Sequence, residues 1–193
     1  MGQIQNILYA QSAWTWDIMQ SSTQIGEMIR EDAITSVNLT VINSQASQIG
    51  LTILSNQGAH LERETGADWM WMAGNYRWLV QAKRLDIVQK VPKYLIDLEQ
   101  MSGLLQYAVT LNNSKAYGDE QFVAAYVFYN SMIERLAHNK AVVGCIAVKT
   151  DVLQNYIIEN RKPRRDQKDI TLAFEEVNYV AQGRSWAEMF PGL

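Results

Sequence analysis

The chain is poor in the residues that would staple, anchor or extend it. Its 193 residues include a single cysteine, Cys145, which excludes an internal disulfide framework and any zinc site built from several thiolates. No run approaches about 18 consecutive apolar residues, so no membrane-spanning helix is expected. The opening segment, MGQIQNILYAQSAWTWD, lacks a basic start followed by an apolar block. No secretory signal is therefore expected, and the cytoplasm is the expected compartment. Charge is scarce as well. Only 19% of residues are charged, and 17 Lys and Arg against 20 Asp and Glu leave a net charge of −3. A pI near 5.4 argues against a domain that grips nucleic acid by overall electrostatics, because such domains are usually strongly basic. The absence of a glycine-rich phosphate loop removes support for ATP or GTP hydrolysis.

What is there is apolar. Hydrophobic residues make up 48% of the chain, enough to exclude intrinsic disorder at so small a net charge. No repeat or low-complexity linker divides the sequence, and a domain of this length buries about 70% of its unfolded surface. The charges are unevenly placed. Arg161-Lys162-Pro163-Arg164-Arg165 puts four cations in five residues, and Lys83-Arg84 with Lys90 and Lys93 makes a looser group. Two readings stand: a solvated surface, or a positive patch that meets phosphates around an acidic centre.

Periodicity lays out the elements. Residues from Ser12 to Ile29 read as a weak helix. From Asp32 to Ile49 the apolar positions recur at helical spacing, with Gly50 as the stop. Leu51–Leu54 is a short β-prone run. Ala67–Met72 and Arg77–Leu85 read as strands joined at Gly74-Asn75, which is hairpin punctuation. Pro92 fits the first turn of a helix whose apolar stripe is Tyr94, Leu98, Met101, Leu105 and Ala108. Phe122–Tyr129 and Ala141–Val148 are continuous apolar runs suited to strands covered on both faces. Helices near Val152–Glu159 and Ile170–Val180 complete an α/β order with a mixed sheet.

The hairpin carries the chemistry. A two-residue turn at Gly74-Asn75 sets Asp68 directly opposite Gln81, with side chains about 5 Å apart on one face. Lys83 shares that face and stands opposite Gly66, which has no side chain to crowd it. The other face collects Trp69, Trp71, Tyr76, Trp78, Val80 and Ala82, all suited to packing. A hard cation such as magnesium takes oxygen ligands and keeps positions open for water and phosphate. Asp68 supplies a carboxylate, Gln81 an amide oxygen and Ala82 its backbone carbonyl, while Lys83 orients water and offsets charge on a phosphate. Gln in place of an acid lowers the negative charge of the site by one. A further carboxylate is therefore expected, from Glu31, Glu62 or Glu64. Gln100 and Gln106 lie on the helix after the hairpin, where a polar residue can point at a phosphate, though exposed surface is the preferred reading; Cys145 reads as an inert core residue.

These residues carry a resemblance. Asp68 followed by Gln81-x-Lys83 resembles the PD-(D/E)xK nuclease superfamily, and Val80-Gln81-Ala82-Lys83-Arg84 is similar to the QxK variant of Mrr-type restriction endonucleases. A longer set comprises Glu31-Asp32-x-x-Thr35, Thr65-Gly66-Ala67-Asp68-Trp69 and Val80 to Leu85, then Tyr126-x-x-Tyr129-Asn130 and Gly144-Cys145. It resembles a small family of bacterial nuclease-like domains of unknown function, over roughly residues 27–150.

That resemblance implies a restriction-endonuclease-like three-layer sandwich, a central mixed β-sheet flanked by helices. It implies one nuclease-like domain over 1–193, with a helical extension at 1–26, a core at 27–150, and helices with a basic loop at 151–193. It further implies a magnesium- or manganese-dependent endonuclease that cleaves DNA in restriction or anti-phage defence, with RNA as the alternative polymer. Asp68, Gln81, Lys83 and Glu31 are the expected catalytic residues. Glu31 and Glu64 are the candidate acids joining Asp68, Gln81 and Ala82 at the metal, and Arg84, Arg161, Lys162, Arg164 and Arg165 are the expected phosphate contacts. A homodimer is expected by analogy with nucleases that cut both strands as pairs, and an activating protein partner is a further expectation. The rival reading is a catalytically weakened nuclease fold that binds nucleic acid or a protein.

Overall fold

The computed structural model describes residues 2–55, 64–88, 91–131 and 133–189. Two helices come first, α1 (Gln3–Gln24) and α2 (Glu31–Ala46), followed by β1 (Thr52–Ser55), β2 (Trp69–Ala73) and β3 (Tyr76–Arg84). Then come β4 (Asp86–Val88), β5 (Val91–Asp97), α3 (Leu98–Asn112) and β6 (Gln121–Tyr129). The chain continues through α4 (Lys140–Val143), β7 (Cys145–Lys149), α5 (Thr150–Arg161), β8 (Asp169–Ala173) and α6 (Phe174–Val180).

Five strands form the principal sheet in the order β1-β2-β3-β6-β7. It is mixed: β3 and β6 run parallel, and the other neighbours antiparallel. The register across the hairpin, Trp69↔Val80 through Ala73↔Tyr76, is the one that a two-residue Gly74-Asn75 turn dictates. Gly74 takes φ +54°, which glycine adopts without steric cost. One face of the sheet sends Trp69, Trp71, Val80, Ala82 and Tyr129 toward α1 and α2, where all five are fully buried. Trp186 packs into the same layer, 5.6 Å from Trp71 and 6.4 Å from Tyr129 by ring centroids. The other face carries Leu79, Gln81, Lys83, Tyr126 and Phe128, and α3 and α5 lie over β6 there. Helices on both faces of a central mixed sheet make the expected three-layer sandwich.

Three expectations give way. Pro92 lies in β5, not in a helix. Tyr94 and Ile96 are buried while Leu95 between them is exposed, a period of two that pairs with β8. Pro92 is tolerated because its register partner is Ile87 on β4 alone, before pairing with β8 begins at Lys93. The helix starts only at Leu98, where the Asp97 side chain accepts the Gln100 N–H at 2.9 Å. Ala141–Val143 is a helical turn rather than strand. Ile170–Ala173 is strand rather than helix, with Ile170 and Leu172 buried in alternation.

Candidate active site

Asp68 owes its position to the turn before it. Gly66 takes φ +69°, and a Cβ there would sit 2.9 Å from the Gln100 carbonyl and 3.2 Å from the Leu104 nitrogen. Only glycine lets this backbone lie flat against α3. The Ala67 N–H then bonds the Thr65 hydroxyl at 3.1 Å. The Asp68 N–H donates to the Val80 carbonyl at 2.8 Å, which extends the β2–β3 ladder by one residue and brings Asp68 opposite Gln81.

The contact between them has a defined polarity. Asp68 Oδ2 accepts from Gln81 Nε2 at 2.8 Å and from the Ala82 N–H at 2.7 Å. Gln81 Nε2 also donates to the Ala82 carbonyl at 3.1 Å. Gln81 is only 1% exposed, and its Oε1 is buried with no hydrogen-bond partner among the described residues. The expected juxtaposition is present, but the amide turns its nitrogen, not its oxygen, toward the carboxylate.

Lys83 lies two residues further along the same face. Its ammonium donates to Gln100 Oε1 at 3.2 Å and lies 3.9 Å from Glu31 Oε1. Glu31 is the first residue of α2, and its Oε2 accepts the Arg84 N–H at 2.6 Å. Burial pushes the Glu31 carboxyl up; the Lys83 charge, the Arg84 N–H and the Arg84 guanidinium pull it back only in part. A carboxylate from the residue before β2, an amide and an amine from β3, a carboxylate from α2 and an amide from α3 thus gather at one end of the sheet.

The donor set suits a hard divalent ion. Asp68, Glu31 and the Ala82 carbonyl offer oxygens, and Gln81 Oε1, which no donor among the described residues satisfies, is a further one.

Other expected residues are placed elsewhere. Glu64 is exposed, its charge is felt by the Tyr107 hydroxyl on α3, and among the described residues no three of His, Cys, Asp and Glu converge as a metal cluster. Glu62 and Lys90 lie outside the described residues. The Arg84 guanidinium is occupied by the Ile29 carbonyl at 2.9 Å and by Asp86, so it ties β3 to the α1–α2 connection instead of projecting as a phosphate contact. Arg161 is likewise engaged, forked onto Glu176 of α6. Lys162, Arg164 and Arg165 are exposed, on a loop whose Lys168 carbonyl accepts the Leu98 N–H at 2.8 Å. That bond joins the loop to the end of α3 that carries Gln100.

Gln100 itself is not the exposed surface residue its position suggested, because the turn at Gly66 draws the first turn of α3 against the site. Tyr126 belongs to the quoted motif but had no assigned role at the site. It is the register partner of Gln81 on β6, and its hydroxyl is buried with no hydrogen-bond partner among the described residues. Burial, then the charges of Asp97, Asp68 and Glu31, push that hydroxyl far up. Strand pairing across 45 residues sets it beside Gln81, a placement the motif alone does not give. Thr35 and Tyr129, both in the quoted motif, hydrogen-bond each other at 3.0 Å inside the layer of α2. Asn130 bonds the Tyr94 hydroxyl and the Val143 carbonyl. These three are structural. A groove of about 700 Å³ elsewhere is floored by Tyr76 and Trp78, which leave the sheet on the face opposite Gln81 and Lys83.

Among solved structures, the chain is similar to Hjc, a Holliday junction resolvase from the archaeal hyperthermophile Archaeoglobus fulgidus. The two are 9% identical, with a TM-score of 0.47 over 78% of this chain and 95% of that one. A search of curated proteins finds no match. The model of a family of unknown function, DUF6615, matches residues 4–181, and the chain therefore belongs to that family.

Proposed function

We propose that this protein is a metal-dependent phosphodiesterase that cleaves DNA. The observation that carries the reading is the convergence of Asp68, Gln81, Lys83 and Glu31 at one end of β3, reached from three different elements. Magnesium or manganese, held by Asp68, Glu31 and the Ala82 carbonyl, would supply Lewis acidity and a more acidic bound water. The remaining work falls to the chain. The Lys83 ammonium, held by Gln100, faces the charge that develops on the phosphate. The exposed cations Lys162, Arg164 and Arg165 meet the strand on either side of the cut. Invading DNA is the proposed target, in keeping with the resemblance to Mrr-type restriction endonucleases.

The test is plasmid cleavage with magnesium, comparing the natural chain with Lys83→Ala. Loss of about 100-fold or more is expected. Equal rates in the two, or cleavage that persists in EDTA, removes the assignment. A second reading, a nuclease fold that binds nucleic acid without cutting it, is favoured by one observation: Gln81 directs a nitrogen where an acid would direct oxygen. A binder of that kind shows DNA affinity with no magnesium-dependent rise in melting temperature.

A further inference from the structure

Gln81 can ligate an ion at Asp68 only if its side chain turns over. The nitrogen now lies between two acceptors, Asp68 Oδ2 at 2.8 Å and the Ala82 carbonyl at 3.1 Å. Chemistry fixes this orientation. The reversed amide would bring three oxygens together at hydrogen-bond distance with no proton among them, an arrangement that is repulsive without a cation and favourable with one. The present orientation has its own cost, because Oε1 is buried with no partner among the described residues.

From this we infer that the Gln81 amide is an ion-coupled latch. Its NH2 group bridges Asp68 and the Ala82 carbonyl, two of the oxygens that would hold the ion. To serve an ion held by Asp68 and the Ala82 carbonyl, the amide would have to turn so that its oxygen joins the ligand set, at the expense of the two hydrogen bonds its nitrogen now donates. The inference rests on the metal-dependent reading above and adds a property to it. A Glu at this position would set two carboxylates facing each other, whereas Gln replaces that repulsion with an internal hydrogen bond and makes ion binding compete with it. The site then fills only when divalent ions are plentiful.

The experiment is a magnesium titration of the full chain, followed by side-chain amide NMR on ¹⁵N-labelled protein, with the Gln81 pair identified by its absence from Gln81→Glu. In EDTA the Gln81 NH2 pair is expected to be protected from exchange, and magnesium is expected to shift it and remove that protection. Thermal unfolding gives the second readout. Gln81→Glu is expected to melt several degrees lower than the natural chain in EDTA, to rise more with magnesium, and to bind magnesium about tenfold tighter. If magnesium shifts the Asp68 and Ala82 backbone amides but leaves the Gln81 pair unchanged, the latch is overturned and the metal site stands. If no amide near Asp68 responds to magnesium, both fall.

Discussion

Gln100 accepts from the Lys83 ammonium at 3.2 Å, while the Glu31 carboxylate lies further off at 3.9 Å. An amide is a suitable partner for a lysine that must face a phosphate. It orients the ammonium without neutralising it, whereas a close carboxylate would hold it in an ion pair. Gln100 is on this account a positioning residue. Gln100→Ala is expected to slow single-turnover cleavage about 10-fold through misplacement of Lys83 while leaving DNA affinity and melting temperature close to those of the natural chain. An equal loss of affinity would assign Gln100 to substrate binding instead. Gly66 acts on the same site from the other side. Its positive φ and its 2.9 Å approach to the Gln100 carbonyl make Gly66→Ala a backbone clash as well as a conformational strain. A loss of about 2–3 kcal/mol in denaturant unfolding is expected.

Between elements, close backbone approach and one carboxylate organise the helical layers. A Cβ on Gly144 would run into the Ser12 carbonyl of α1 and lie 2.7 Å from the Lys140 carbonyl. The same junction is fastened by the Ser12 hydroxyl, which accepts the Cys145 N–H at 2.8 Å. Neither carbonyl belongs to a side chain that can swing away, so Gly144→Ala must push α1 off β7. A cost of about 3 kcal/mol or more is expected, read as a lower urea midpoint. On the opposite side, Glu176 joins α5 to α6. Burial raises its carboxyl, but the Arg161 guanidinium, the Ala173 N–H at 2.9 Å and the Tyr156 hydroxyl at 3.0 Å outweigh that and hold it below the ordinary value. A carboxyl lowered in the folded state adds stability above its unfolded pKa, and that stability is lost as the pH falls through the folded value. Glu176→Gln is therefore expected to be less stable than the natural chain by about 1 kcal/mol at neutral pH. The gap should close in acid, and a gap independent of pH would show that the ion pair contributes nothing.

Across the molecule, charge is divided in a way the net value of −3 conceals. The acids of the site sit at the end of β3, and the exposed cations Lys162, Arg164 and Arg165 lie on the loop tethered to α3 through Leu98 and Lys168. On the proposed reading, attraction to DNA is expected to be local, weak overall and dependent on salt. Replacing Arg164 and Arg165 together with Glu is expected to lower DNA affinity and to reduce the slope of log affinity against log salt by about 2, one for each phosphate that is no longer neutralised. An unchanged slope would return this loop to the solvated surface.

The hairpin register was legible in the sequence because a Gly-Asn turn and strict alternation leave one pairing, and a slip of one residue would bury the wrong face. The same logic placed Asp68 against Gln81 and set Lys83 beside them. The start of α2 was legible from Glu31 and Asp32 at a helix N-terminus, and the strand Gln121–Tyr129 from its apolar run Phe122–Tyr129, whereas the run Ala141–Val148 is strand only from Cys145 onward. Tyr94 misled because its spacing to Leu98 and Met101 fits a helix as well as it fits a strand followed by one. Only the pairing of β5 with β8 separates the two. Residue types and spacing thus determined the chemistry available to this protein, because periodicity and turn geometry act over a few residues. The tertiary structure decided which acid reaches Lys83, that Gln100 holds it, and which way the Gln81 amide points. The bonds that fix Lys83 and Glu31 join residues 17 and 53 positions apart, and their geometry follows from how the layers pack, which no local pattern encodes.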